Sequence, residues 1–297
     1  MKNLFLFATI LLLATHCKNQ ENKNTSEGTT PPIDTTQVTS STADLGYKEQ
    51  LATLPIENES MRAAMELSKR TYTLEDAQQN DFAFKTFMDF QRPFLDKLND
   101  KLTSSDNYEA INTLANRDST TYSDAGKAYE KSLASTGLIL TSEEGQAYLD
   151  LNTNMVKEYF YGSLSPAGKM FLSLSAKETT ERPISDGRLT ISFQELANRL
   201  GSWNNFIATY PNTVFHDAAL EHKNAYWRWF LNGLDNTPIF DDSKKIYAEP
   251  LEAYRYYVKK YSTTPDALIL QEYLSFLSQS KFQKTEKVEA FLIKHGG

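Results

Sequence analysis

Apolar residues recur at the spacing of helices from about residue 57 to the C-terminus, and this pattern limits the fold more than any other feature. The clearest stretch is 74–102, where apolar side chains follow an i, i+3, i+4 pattern at Phe84, Phe87, Met88, Phe94, Leu95, Leu98 and Leu102. Pro93 lies inside this stretch and is predicted to kink or interrupt the helix. Since strand-like alternation is scarce, we predict an all-α protein, either a helical bundle or a short α-solenoid of antiparallel helix hairpins.

Capping patterns predict where three further helices begin. Residues 165–166 are Ser-Pro, which is typical of an N-cap followed by proline at the first helical position. Residues 192–195 form a capping box, with Ser at the first position and Glu at the last. Residues 141–144 are Thr-Ser-Glu-Glu, which predicts a hydroxyl cap and an acidic first turn for a helix that continues to Phe160.

One stretch departs from the helical pattern. Residues 179–191 read TTERPISDGRLTI, and their Asp186-Gly187 dipeptide indicates a turn between short apolar flanks. Either a small hairpin or a surface loop fits; we favour the loop, because the flanks are too short to form a sheet alone. We therefore predict a loop at 181–191 that separates a helical region at 57–180 from another at 192–297.

Charge and cysteine content exclude several classes of function. The formal net charge is −7, which disfavours nucleic-acid binding because that binding needs clustered Lys and Arg. Cys17 is the only cysteine, so the chain has no intramolecular disulfide and no cysteine-based metal site. We predict no nucleic-acid partner.

The N-terminus has the pattern of a targeting signal. Lys2 supplies a positive charge, residues 4–14 are apolar apart from Thr9, and Cys17 follows shortly after. A run of this length is too short to span a bilayer, for which about 20 apolar residues are needed, and is typical of the apolar part of a signal peptide.

Residues 12–17 resemble the signal sequences of bacterial lipoproteins, in which the cysteine that follows the lipobox is acylated and becomes the mature N-terminus. Ala14 and Thr15 fit a permissive lipobox, whereas His16 stands where a small residue is usual. The resemblance implies a signal peptide at 1–16 and lipid on Cys17. Lys18, in place of an acidic residue, implies sorting to the outer membrane of the bacterial envelope; the periplasmic and the surface face both remain open. The alternative is an ordinary secretory signal cleaved nearby.

Residues 17–56 are predicted to be a disordered polar tether. The segment is rich in Thr, Ser, Asn and Gln, contains Pro31-Pro32, and has almost no apolar side chains to bury. As a flexible coil it would hold the folded body on the order of 30 Å from the lipid.

A short sequence pattern occurs twice in the last third of the chain. Residues 204–220 read NNFIATYPNTVFHDAAL and residues 256–268 read YYVKKYSTTPDAL, so that Phe206 and Tyr210 correspond to Tyr257 and Tyr261. A partial echo at 291–295 begins 34 residues after Tyr257, which is the tetratricopeptide period, whereas the first interval is 51 residues.

Residues 192–297 resemble tetratricopeptide-like helical repeats, in the Tyr-Pro-turn-Ala style of outer-membrane assembly lipoproteins. The resemblance implies stacked antiparallel helix pairs that bind other proteins. A plain helical bundle whose hairpins end in tyrosine is the alternative.

No catalytic motif stands out in the sequence. HExxH, GxSxG, Walker and GxGxxG patterns are absent, so we predict no catalytic residues, no metal and no cofactor. His216 and His222 lie six positions apart, about 240° around a helix, which does not suit a shared metal. The Ser278/Lys281 spacing of serine acyl-enzymes lacks its companion motifs, and Asp235, Asp241 and Asp242 are interpreted as a solvated loop.

Residues 225–230, AYWRWF, are the candidate partner-binding segment. The run is apolar nearly all around a helix, which favours burial in the core. If part of it is exposed, Trp227, Arg228 and Trp229 are residue types enriched at binding hot spots.

These observations lead to two hypotheses. The first is a membrane-anchored envelope lipoprotein that acts as a protein-binding or scaffold module for other envelope proteins or peptides. The second is an envelope enzyme, or an inhibitor of one, whose site is assembled from scattered residues. A groove lined by Tyr, Trp and Arg would favour the first, and a deep pocket with converging titratable groups the second.

Overall fold

The computed structural model describes residues 42–72, 76–116 and 124–296. The predicted signal peptide at 1–16, the lipidation site Cys17 and the predicted tether up to residue 41 lie outside these residues. The described residues form twelve helices and three two-stranded antiparallel hairpins. This confirms the prediction of a mostly helical, all-α fold.

The first part of the body combines seven helices with one hairpin. In chain order the elements are α1 Thr42–Ala52, α2 Glu59–Thr71, α3 Ala77–Thr103, α4 Tyr108–Ala115, α5 Asp124–Leu133, β1 Leu138–Glu143, β2 Gln146–Leu151, α6 Thr153–Phe160 and α7 Pro166–Thr180.

The second part continues with five helices and two very short hairpins. These elements are β3 Ile184–Ser185, β4 Arg188–Leu189, α8 Phe193–Thr209, α9 His216–Asn232, β5 Gly233–Leu234, β6 Thr237–Pro238, α10 Ala248–Lys260, α11 Pro265–Gln279 and α12 Glu286–His295. Helix α8 packs against both α9 and α10, α10 also packs against α11, and α11 packs against α12.

Helix α1 lies inside the range 17–56 that the sequence predicted as tether, so the folded body begins earlier than predicted. Two of its side chains, Tyr47 and Leu51, are buried. The Tyr47 hydroxyl donates to the carbonyl of Ala64 at 2.9 Å, and its ring meets Tyr72 edge to face at 5.7 Å. Two well-placed apolar side chains thus dock a helix whose composition is otherwise that of a tether.

The predicted helix from 141 to 160 is wrong in its first half. Strands β1 and β2 pair in register from Leu138↔Leu151 to Glu143↔Gln146, and only residues 153–160 are helical. Glu144 has φ 50° and Gly145 has φ 76°, the left-handed pair that a two-residue hairpin turn requires. Glu144 therefore belongs to a turn and not to an acidic first helical turn.

The segment 181–191 contains a hairpin, and the preferred loop interpretation is wrong. Ile184–Ser185 pairs with Arg188–Leu189 across Asp186-Gly187. The side-chain amide of Asn236 donates to the carbonyl of Asp186 at 2.6 Å, and the Leu189 N–H donates to Thr237 Oγ1 at 2.9 Å. Contacts with the β5–β6 hairpin therefore stabilise flanks that are too short to form a sheet alone.

Two predicted helix starts are confirmed. Ser165 caps α7 by accepting the N–H of Gly168 at 3.2 Å, with Pro166 at the first helical position. Ser192 caps α8 by accepting the N–H of Glu195 at 3.1 Å. Helix α3 runs without interruption through Pro93. Within the described residues, no helix is both long enough and apolar enough to cross a membrane.

Candidate functional site

Arg199 and Asp266 are the two buried charged residues among the described residues of the second part of the body, and Arg199 makes the larger set of polar contacts. It projects from α8 and is only 4% exposed. Its Nε donates to Glu195 at 3.2 Å, Nη1 donates to the carbonyl of Glu181 at 2.8 Å, and Nη2 donates to the Glu181 carboxylate at 2.9 Å. Glu178 lies 3.5 Å from Nη1. The guanidinium therefore connects the C-terminal end of α7 to the first turns of α8.

Glu178 brings α9 into the same cluster. Its carboxylate accepts hydrogen bonds from the Tyr226 hydroxyl and from the indole N–H of Trp203, the latter at 3.1 Å. Burial and the nearby Glu178 carboxylate raise the pKa of Tyr226 far above its ordinary value, so the phenol stays protonated and acts as a donor. His222, also of α9, stacks on the Trp203 ring.

The contacts continue from Arg199 to the surface of α10. Lys177 lies 2.6 Å from Glu195, and the Asn198 amide reaches Glu195 at 3.4 Å. The oxygen of Asn198 then accepts from the Tyr256 hydroxyl at 2.7 Å and from Lys260 Nζ at 2.9 Å. We name these connected residues the polar network: Lys177, Glu178, Glu181, Glu195, Asn198, Arg199, Tyr226, Tyr256 and Lys260.

Hydrogen bonds in the polar network favour the ionised forms of Glu195 and Lys260. Burial opposes the ionised form of Glu195, but hydrogen bonds from Lys177 and Arg199 outweigh it, and its pKa lies below the ordinary value. Hydrogen bonds from Lys260 to Tyr256 and Tyr261 raise the pKa of Lys260. At neutral pH the network therefore holds ionised Glu195 and Lys260.

The cavity beside the buried end of the network is small. It measures about 80 Å³ and is lined by residues of α7 and α8, including Glu178, Arg199, Ser202 and Trp203. This volume suits a few water molecules, whereas sites for small molecules are typically about 300–1,000 Å³. Because Arg199 already bonds on all three nitrogens, this arrangement serves best to join α7, α8 and α9.

A larger cavity lies at the C-terminal end of α9. It measures about 450 Å³ and is lined by Asn232, Phe240, Lys284, Glu289, Leu292, Ile293 and Gly296. Its two charged residues, Lys284 and Glu289, lie 3.3 Å apart and face each other. The deep pocket with converging titratable groups that the enzyme hypothesis requires is therefore not found at either of these cavities.

The three candidate partner-binding residues do not form one surface. Trp227 is buried, and its indole N–H donates to the carbonyl of His295 at 2.7 Å, which joins α9 to α12. Trp229 is half-buried and meets Tyr226 edge to face at 5.1 Å. Only Arg228 is exposed. The predicted burial of this segment is confirmed for Trp227, and its role in binding stays a prediction.

Two other residues singled out in the sequence, His222 and Asp241, make structural contacts. No cluster of three histidine, cysteine or carboxylate side chains that could hold a metal ion occurs in the residues that the structure describes. His222 is used in stacking on Trp203. Asp241 closes its own turn by accepting from Ser243 Oγ and the Lys245 N–H.

The polar network itself was missed from sequence. The only local signal was the four-residue spacing of Glu195 and Arg199, which places both on one helix face. Asn198 and Tyr256 are 58 positions apart, and no local pattern predicts their contact.

Searches of protein-family models, curated proteins and solved structures found no match to this chain.

Proposed function

We propose that this protein is an envelope lipoprotein, anchored to the outer membrane by lipid on Cys17, that binds other envelope proteins or peptides. The proposal joins the lipoprotein-like signal at 1–17 to a binding surface on the helical body. We place that surface at the exposed end of the polar network, on adjacent faces of α8 and α10.

One observation carries the proposal: α8 and α10 end in the same way and lie side by side. Tyr210 follows α8 and its N–H donates to the Phe206 carbonyl at 2.9 Å; Tyr261 follows α10 and its N–H donates to the Tyr257 carbonyl at 2.8 Å. The ring centroids of each pair are 5.5 Å and 4.8 Å apart. This repetition supports a tetratricopeptide-like arrangement, in which equivalent helices of successive pairs line one binding face.

The contact between the two helices is close because Gly201 faces Tyr261. A Cβ atom added at Gly201 would overlap the Tyr261 ring. The ring therefore lies directly on the α8 backbone and leaves Tyr256 and Lys260 at the junction of the two helices. Adjacent equivalent helices thus present a shared surface.

The chemistry of this surface suits an acidic segment of a partner protein. Lys260 is exposed, and its ammonium lies 5.3 Å and 5.1 Å from the ring centroids of Tyr256 and Tyr261. A partner carboxylate would pair with Lys260 while an apolar side chain packs on Tyr256; aromatic and cationic residues together are typical of binding hot spots.

The anchoring half of the proposal is tested by the intact mass and membrane fractionation of the wild type and a Cys17→Ala variant. We expect acyl mass on the wild type and a soluble or unprocessed variant. A wild type that is cut elsewhere and lacks lipid would contradict the anchor.

The binding half is tested by crosslinking in cells followed by mass spectrometry. We expect a Lys260→Glu variant to lose partners that the wild type captures, and Lys97→Glu, an exposed lysine change on α3, to keep them. Partners captured equally by both variants would place the binding surface elsewhere.

A further inference from the structure

Three methionine side chains converge on Gly137, the residue that precedes β1. A Cβ atom added there would lie 2.5 Å from Cε of Met65, 3.4 Å from Sδ of Met155 and 3.6 Å from Cγ of Met61. Because the sulfur of a methionine is bonded directly to Cγ and Cε, all three sulfurs lie within a few ångströms of one point. We name these three residues the methionine cluster.

Local structure fixes the position of each member of the cluster. Met61 and Met65 are four residues apart on α2, so both lie on the same helix face, and both are fully buried. Met155 lies in the first turn of α6, which packs against α2. Its N–H donates to Oδ1 of the helix cap Asn152 at 3.2 Å, and the Asn152 N–H donates to the Gly137 carbonyl at 2.8 Å. The cap of α6 therefore holds Met155 beside Gly137.

Gly137 leaves the space in which the three side chains meet. Its φ of 88° lies in the left-handed region that favours glycine. A Cβ atom at this position would overlap the terminal methyl group of Met65. The residue between α5 and β1 therefore has no side chain at the point where α2 and α6 face each other, and sulfur-containing side chains occupy that point instead.

The donor atoms of the cluster select the kind of metal ion that it suits. Thioether sulfur is a soft, neutral ligand that favours Cu(I), whereas Mg²⁺ and Ca²⁺ prefer oxygen ligands and Zn²⁺ is usually bound by histidine, thiolate or carboxylate. Methionine has three rotatable bonds, so the sulfurs can turn toward a common ion while the helices stay in place. Met155 is half-buried, which gives an ion access from solvent. Metal motifs of histidine, cysteine and carboxylates give no sign of such a site in the sequence.

We infer that the methionine cluster binds one Cu(I) ion through the sulfurs of Met61, Met65 and Met155. The three ligands are neutral, so the complex keeps a single positive charge, and the half-buried side at Met155 leaves that charge close to water, which lowers the cost of burying it. The ion enters and leaves as Cu(I), and no electron is transferred. Methionine also fills gaps in cores by packing alone; replacement by leucine separates the two roles, because it keeps the volume and removes the sulfur. The inference is independent of the proposed binding function.

Competition for Cu(I) with the coloured chelator bicinchoninate, without oxygen and with ascorbate present, tests the site. The full chain carrying Cys17→Ala is used, because that change removes the only thiol. We expect one Cu(I) per chain, and we expect Met61→Leu, Met65→Leu and Met155→Leu each to raise the Kd at least about tenfold. Met170→Leu, which changes a half-buried methionine of α7 outside the cluster, is the matched control and should keep the Kd.

Methyl NMR of the Cys17→Ala chain tests the ligands without any change in the cluster, so the inference stays testable if a leucine variant fails to fold. Ag(I) is the probe, since it is a soft ion of the same charge as Cu(I) and is not oxidised by air. We expect it to shift the methyl resonances of the three cluster methionines and to leave those of Met88 and Met170 unchanged. A chain that binds no Cu(I), leucine variants that bind it as tightly as the parent chain, or Ag(I) shifts confined to other methionines would overturn the inference and leave packing as the role of the cluster.

Discussion

The imidazole of His222 stacks on the indole of Trp203, with ring centroids 4.4 Å apart and planes 5° from parallel. The contact joins α9 to α8 beside the buried end of the polar network. Burial lowers the pKa of His222, and the Glu178 and Glu221 carboxylates offset this only in part; Arg92 lowers it further. The stacked imidazole is therefore neutral at neutral pH.

This shift predicts a loss of stability in mild acid. Because the pKa of His222 is lower in the folded chain than in the unfolded chain, its contribution is present above about pH 6.5 and is lost as the pH falls through the folded value. We expect His222→Phe, which keeps a ring on Trp203 but cannot titrate, to lose less stability than the wild type between about pH 7.5 and 5. Urea unfolding followed by tryptophan fluorescence measures both. Equal losses in the two proteins would show that His222 does not titrate here.

The close contact of Gly201 with Tyr261 predicts that any larger residue at position 201 lowers the stability of the folded chain. Gly201→Ala forces the Tyr261 ring away from α8, and we expect a loss of about 1–3 kcal/mol in the free energy of unfolding. Gly46 of α1 has open space where its Cβ would lie, so Gly46→Ala should be neutral or stabilise by up to about 1 kcal/mol. Chemical denaturation compares the two variants, and a neutral Gly201→Ala would contradict the close contact.

The buried ion pairs of Arg199 predict that replacing this residue causes one of the largest losses of folding stability of any single substitution in the chain. Arg199→Met leaves Glu178 half-buried without its cation, and we expect about 3–5 kcal/mol of destabilisation. Arg228→Ala on exposed α9 surface is the control and should change stability by less than about 0.5 kcal/mol. Thermal and urea unfolding measure both. A loss below about 1 kcal/mol for Arg199→Met would mean that packing alone joins α7 to α8.

Asn99 of α3 covers the outer edge of β2, where its side chain accepts the N–H of Leu149 at 2.7 Å and donates to the Leu149 carbonyl at 3.1 Å. Asn99→Leu leaves the N–H and carbonyl of Leu149 without partners, and we expect about 1–3 kcal/mol of destabilisation. Asn205→Leu, at an exposed position of α8, should have little effect. Hydrogen exchange at Leu149 gives the local readout: its amide should exchange faster in Asn99→Leu and unchanged in Asn205→Leu.

Local sequence patterns predicted two helix starts correctly, and they failed at 141–144, where a strand and turn resemble a helix cap. Ser165 and Ser192 cap helices as predicted, because a cap depends on residues three positions apart. The run at 141–144 also resembles a cap, but cross-strand pairing with 146–151 overrides it. The feature that forms the hairpin is the left-handed turn at Glu144-Gly145. Asn, Asp or Gly is usual at the first position of such a turn, so a glutamate there does not indicate a hairpin in the sequence.

The sequence by itself determined the helical class and the helix starts at Ser165 and Ser192, since each depends on spacing within a few residues. The lipoprotein signal at 1–17 stays a prediction. Only the tertiary structure decided that Arg199 meets Glu178 and Tyr226 and that Asn198 meets Tyr256 and Lys260. It also decided that Asn99 and Asn112 close the outer edge of β2. These contacts join residues roughly 20 to 60 positions apart. Their partners are selected by which helix faces pack together, and helix periodicity specifies a buried face without specifying what it packs against.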